Sequence, residues 1–106
     1  MLHEIHRFHE KDQVNKIYLL VIYDITCTKK RTKFAKMLKG FGYRVQKSAF
    51  ELYLSPKKYI KILKKISKYI NVEEDSVRLY RLKGDGKIIM WGQNNIKVEA
   101  KDVIII

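Results

Sequence analysis

The chain is poor in residues that break or cross-link a backbone. Among 106 residues there is one cysteine, Cys27, one proline, Pro56, and five glycines. A single cysteine excludes an intrachain disulfide framework. Cys27 is therefore expected to be a small apolar filler in the reducing cytoplasm. Long apolar runs are missing too. The longest, at residues 17–23, falls far below the roughly 18 residues of a membrane-spanning helix. No signal-peptide pattern opens the sequence, so a cytoplasmic protein with no membrane partner is expected. There is no internal repeat and no low-complexity tract, and the length suits one domain.

Acids are scarce in a patterned way. Twenty-three Lys and Arg oppose eleven Asp and Glu, a formal net charge of +12. Residues 25–50 contain no acid but carry Arg31, Lys33 and Arg44 among their cations. Residues 52–72 contain none either, and carry Lys57, Lys61, Lys64 and Lys68. An ordinary solvated surface mixes signs. Long one-signed stretches predict a polyanionic partner, and nucleic acid is the commonest in a cytoplasm.

What is present organises itself around residues 18–25, a run that is apolar or aromatic except for Asp24. Such a run suits the middle of a sheet. Asp24 near its end is either a turn residue or a functional carboxylate. Residues 1–16 read as an appendage, a short amphipathic helix or a flexible arm. Its three histidines, His3, His6 and His9, drift round a helix and match no standard metal site.

A first helix follows, with Thr26 or Thr28 as N-cap and Phe34, Leu38 and Phe41 on its core face. Gly40 and Gly42 are expected to end it in a left-handed cap. Residues 44–54 alternate as strand, either one long strand or two with a tight reversal near Ser48. Ser55-Pro56 starts a second helix, N-cap then proline at the first position. Tyr59, Leu63, Ile66 and Ile70 are its core face, and Lys57, Lys61, Lys64 and Lys68 its opposite stripe. A strand at residues 76–82, a hairpin loop at 83–86 and a returning strand at 87–91 come next. Asp85 reads as a turn residue and Glu51 as a strand-surface partner for a lysine. The β-branched tail, residues 103–106, needs a pairing in its own sheet or in a second copy of the chain.

The fold class is α+β, with two helices on one face of a small, mostly antiparallel sheet. A split at residues 44–54 makes it a ferredoxin-like sandwich with an extra C-terminal strand. The sheet lacks the aromatic motif of the common single-strand RNA module.

The run Tyr23-Asp24-Ile25, Arg31 seven residues beyond the acid, and Gly42-Tyr43-Arg44-Val45-Gln46-Lys47-Ser48-Ala49-Phe50-Glu51 are distinctive in combination. Together they resemble the CRISPR-associated protein 2 family, small proteins of the spacer-acquisition machinery. The resemblance spans residues 16–91. It implies a ferredoxin-like homodimer whose C-terminal strand joins the partner's sheet. It also implies a metal-dependent endonuclease acting on single-stranded RNA or double-stranded DNA. The alternative it carries is a non-catalytic DNA-binding scaffold that joins copies of the spacer integrase subunit.

By position, the family's metal-site aspartate falls on Asp24, its neighbouring aromatic on Tyr23, its arginines on Arg31 and Arg44 and its phenylalanine on Phe50. A second helix-one arginine is Lys33 here, which keeps the charge but loses the bidentate grip. One carboxylate does not anchor Mg²⁺ alone, so two copies of Asp24 are expected to share Mg²⁺ or Mn²⁺ across the dimer. Arg31 and Arg44 then hold phosphate. Lys33, Lys61, Lys64 and Lys68 bind substrate, and Tyr23 and Phe50 line the dimer seam or the core.

Overall fold

The computed structural model describes residues 15–93 and the backbone of residues 103–105. The appendage of residues 1–14, with its three histidines, lies outside the described residues. The element order is β1 (Ile17–Asp24), α1 (Thr28–Lys39), β2 (Gly42–Gln46), β3 (Ala49–Leu54), α2 (Pro56–Tyr69), β4 (Ser76–Arg81), β5 (Ile88–Gly92) and β6 (Val103–Ile105). The strands form one sheet in the order β2-β3-β1-β4-β5-β6. The first four elements of that sheet are antiparallel neighbours in the ferredoxin-like arrangement, and β5 continues it antiparallel to β4. Only β6 is parallel, beside β5. In the single chain the tail thus takes the own-sheet pairing, one of the two left open above.

Residues 44–54 are two strands. The reversal falls at Lys47-Ser48, with a bulge between Arg44 and Gln46. No residue there takes a positive φ, which is why no glycine marks the turn.

β1 occupies the centre because it satisfies both neighbours at once. Leu19 pairs with Leu52 on β3 and with Arg81 on β4; Val21 pairs with Phe50 and Leu79. Its inward side chains, Leu19, Val21 and Tyr23, are buried under both helices together with Phe34, Leu38, Phe50 and Ile66. Its outward side chains, Tyr18, Leu20 and Ile22, are half-buried on the face opposite α1 and α2.

Local expectations are corrected in three places. The N-cap of α1 is Cys27, between the two threonines proposed for it. Cys27 is exposed there and fills no core space. On α2 the deepest positions are Ile62 and Ile66, with Tyr59, Leu63 and Ile70 packed partly buried around them. Gly40 closes α1 in right-handed geometry, and neither Gly40 nor Gly42 has a positive φ. Gly42 is needed for space instead: a Cβ there would run into the Glu51 carbonyl oxygen and the Leu52 side chain across the β2–β3 ladder. Gly42→Ala should therefore cost about 1–3 kcal/mol by overpacking, read as a lower urea midpoint with unchanged m.

Candidate active site in a basic groove

A groove of about 1100 Å³ wraps round the end of the sheet where β1 stops. Among the described residues that line it, Asp24 is the one acid, exposed on the last residue of β1. Six described cations line it: Arg31, Lys36 and Lys39 from α1, Arg44 from β2, Lys47 from the β2–β3 turn and Arg78 from β4.

Strand alternation explains why Asp24 faces water. Tyr23 points into the core, so Asp24 points out beside Ser76 of β4. Despite six cations around the groove, no ion pair or hydrogen bond to the Asp24 carboxylate occurs among the described residues. Its oxygens are free for a ligand.

The loop after Asp24 is held from two sides. Arg31 donates to the Ile25 carbonyl at 2.9 Å and to Thr28 Oγ1 at 3.1 Å. Arg31 thus tethers the β1–α1 connection as well as lining the groove. The second anchor is Asp75, the only buried charged residue among those described. Its carboxylate accepts the Thr26 N–H at 3.1 Å and the Asn71 N–H at 2.8 Å, with Lys30 Nζ at 3.9 Å. Thr26 Oγ1 donates to the Glu74 carbonyl, completing a clamp between this loop and residues 71–75.

Arg44 is placed by aromatic side chains. Its guanidinium donates to Tyr23 Oη at 3.3 Å and lies 5.3 Å from the Phe50 ring centroid. Tyr23 and Phe50 are both buried. They support the groove from inside the core, so the seam role considered for them is not needed to explain their position. Ser48 serves the turn: its carbonyl accepts the Tyr23 N–H.

Lys33, Lys61, Lys64 and Lys68 are exposed but do not line this groove. The stripe on α2 is a separate cationic surface. Sequence reading missed Lys36, Lys39, Lys47 and Arg78 as groove cations. The signal for the α1 pair was their spacing from Thr32, at i+4 and i+7 on one helix face. Arg78 had no local signal, since its place depends on β4 lying beside β1.

The expected partner of Glu51 changes. Glu51 Oε1 accepts from the Tyr18 hydroxyl at 2.7 Å, so its partner is a tyrosine. That bond raises the Tyr18 pKa. Tyr18 and Tyr53 are directly opposite on β1 and β3, with ring centroids 5.8 Å apart. Asp85 is a turn acid as expected, accepting the Lys87 N–H. At Cys27 the N–H groups of Lys30 and then Lys29, at the start of α1, hold the thiol below its ordinary pKa.

A divalent ion can be tested against this donor set. Asp24 offers hard, unpaired carboxylate oxygens, and Ser48 and Ser76 bring hydroxyls to the same groove. No group of three or more His, Cys, Asp or Glu gathers anywhere among the described residues. Mg²⁺ commonly keeps several waters and one or two carboxylates, so one Asp24 fits it as part of a site.

Fold and groove together define a ferredoxin-like α+β protein that sets one carboxylate in a cationic cleft. The family model for CRISPR associated protein Cas2 matches residues 17–87, and the chain belongs to that family. The CRISPR-associated endoribonuclease Cas2 of Mycobacterium tuberculosis is 35% identical over 91 residues, covering 86% of this chain and 79% of that protein. A protein of the same name, numbered 3, from Synechocystis is 38% identical over 92 residues, covering 84% of this chain and 100% of that one. Among solved structures, Streptococcus pyogenes Cas2 superposes with a TM-score of 0.59 at 31% identity, over 62% of this chain and 86% of that chain. A hypothetical protein from Thermus thermophilus superposes at 0.62 and 33%, over 65% and 84%. No helix among the described residues is long and apolar enough to cross a membrane.

The Asp75 clamp makes a direct prediction. Asp75→Ala leaves two backbone N–H groups without their acceptor and should destabilise the fold by about 3 kcal/mol in urea unfolding. Asp75→Asn keeps one acceptor oxygen and should lose roughly half as much.

Proposed function

We propose that this chain is a metal-dependent endonuclease that hydrolyses phosphodiester bonds in RNA or DNA, and that it works in spacer acquisition as a homodimer. The observation that carries this reading is the unpaired Asp24 carboxylate in a groove of six cations. A polyanion is drawn into such a groove, while Asp24 stays available to a cation that the polyanion brings or shares. The name endoribonuclease borne by the relatives supports the same chemistry.

The metal would sit on Asp24, with a second Asp24 from the other subunit as the further carboxylate. When bound, Mg²⁺ or Mn²⁺ supplies Lewis-acid polarisation of the phosphoryl group. The chain's own residues do the rest. Arg44, held by Tyr23 and Phe50, donates to phosphate oxygens and offsets the charge that builds on them. Arg31 holds the loop that aims Asp24. In the net reaction a water oxygen bonds to phosphorus and one ester P–O bond breaks. The departing oxygen gains a proton, and the attacking water releases one to solvent.

The homodimer reading is supported by the sheet face opposite α1 and α2. Leu20, Ile22 and Ile88 lie half-buried on it. A second copy meeting this face would bring two β1 ends together. The exposed stripe of Lys61, Lys64 and Lys68 favours a second reading, a scaffold that holds duplex DNA on α2 for the integrase subunit.

The test of catalysis compares wild type with Asp24→Ala on labelled RNA and duplex DNA, in Mg²⁺, Mn²⁺ or chelator. Cleavage should need metal and fall at least about 100-fold in the variant, since the loss removes the only groove acid among the described residues. Equal cleavage by both proteins would point to a contaminant and end the nuclease reading. For the scaffold, Lys61→Glu/Lys64→Glu/Lys68→Glu should weaken duplex binding and flatten its salt dependence, because fewer counterions are released. An unchanged slope would remove α2 as a contact surface.

A further inference from the structure

Five of the six groove cations approach Asp24 from the helix side or the turn. Arg31, Lys36 and Lys39 stand on α1, Arg44 is on β2 opposite Phe50, and Lys47 is in the β2–β3 turn. Arg78 alone comes from the sheet face opposite α1 and α2. It pairs with Ile22 across the β1–β4 ladder, two residues along from the Asp24–Ser76 pair. Asp24 and Arg78 are therefore diagonal neighbours on one sheet face. Such positions are about 7–8 Å apart at their Cα atoms, within reach of a long side chain.

The state of Arg78 is unusual for an arginine beside a carboxylate. It makes no ion pair among the described residues. Its guanidinium instead donates to Tyr80 Oη at 3.1 Å and lies 6.0 Å from the Tyr80 ring centroid. Tyr80 is the next outward residue on β4, so it holds the guanidinium along the strand and away from Asp24. A guanidinium has five N–H donors, and this contact occupies one. The remainder make no other hydrogen bond or ion pair among the described residues, and their fork suits a planar, bidentate acceptor such as a phosphate.

We propose that Arg78 is a phosphate-gripping residue of this groove: it holds the phosphodiester on the β4 side of Asp24, opposite the flank held by Arg44. A nucleic-acid strand then crosses the end of the sheet from the α1–β2 flank to β4, with Asp24 between two gripped phosphates. Arg31, tethered to Ile25 and Thr28, is the positioning residue, and the phosphate-holding arginine pair is Arg44 with Arg78. This assignment rests on Asp24 marking the site, and it adds a contact on the flank that the other cations leave open.

The experiment separates the two claims by measuring binding without metal. Wild type, Arg78→Gln and Arg78→Lys are titrated into a fluorescein-labelled twelve-nucleotide single strand, as RNA and as DNA, in chelator across a salt series. Arg78→Gln preserves a donor for Tyr80, and a thermal melt and a gel-filtration run accompany each variant. Arg78→Gln should bind about tenfold more weakly, with a salt slope shallower by about 0.7, the loss of one phosphate contact on a single strand. Arg78→Lys should recover the slope but only part of the affinity, because an ammonium lacks the fork. Wild-type affinity and slope in Arg78→Gln overturn the proposal. So does full recovery by Arg78→Lys, which removes the bidentate grip. Weakened binding that comes with an altered melt or elution volume also overturns it, since the residue would then act on folding or assembly. Asp24→Asn is run beside them with Mn²⁺. If wild type and Asp24→Asn cleave alike, the nuclease reading fails while the chelator titration still decides Arg78.

Discussion

The register of β1 between β3 and β4 is the constraint on which the rest depends. Leu19 and Val21 are wholly buried and Tyr23 nearly so, which ties every second residue of the strand to the core. Because side chains alternate, a slip of one residue would expose this set and drive Asp24 inward. A buried, unpaired carboxylate would be costly, so the core and the groove specify the same register. The apolar packing that stabilises the sheet thus also aims the acid.

Aim along the strand is not enough, since β1 ends at Asp24 and the chain must turn into α1. Asp75 restrains that turn. A buried carboxylate is expensive unless its oxygens are satisfied, and here both oxygens accept backbone N–H groups from different segments. Arg31 restrains the same connection from the helix side. Gly92 belongs to this arrangement as well: its φ of 75° and the close Asp75 carbonyl leave no room for a side chain. The clamp therefore joins β1, α1, the segment before β4 and the end of β5. The groove borders rigid backbone for that reason, although its lining side chains are mostly exposed.

Two cationic surfaces emerge from one strongly basic composition. The groove concentrates six cations round a free acid, while the α2 stripe presents lysines with no acid among them. Charge alone does not distinguish these surfaces, because both attract the same polyanion. What distinguishes them is the carboxylate, together with the arginines that aromatic rings hold beside it: Arg44 against Tyr23 and Phe50, and Arg78 against Tyr80. Planar guanidinium groups on rings are pre-oriented, whereas exposed lysines are mobile point charges.

The sequence by itself determined the elements and much of the site. A nearly unbroken apolar run placed β1 at the centre, Ser55-Pro56 started α2, and the Asp24, Arg31 and Arg44 run identified the family. These signals are local, carried by spacing that a strand or a helix imposes on its own residues. Only the tertiary structure decided the rest. The split at Lys47-Ser48 needs no special φ and so leaves no glycine or proline to read. Asp75 carries no local signal, because its partner Thr26 reaches it from forty-nine residues away. Arg78 reached the groove through a ladder between strands far apart in the chain, and the α2 lysines were left off it because their helix faces another way. Contacts of this kind are made by chain segments that pack together regardless of sequence distance, so no local pattern encodes them.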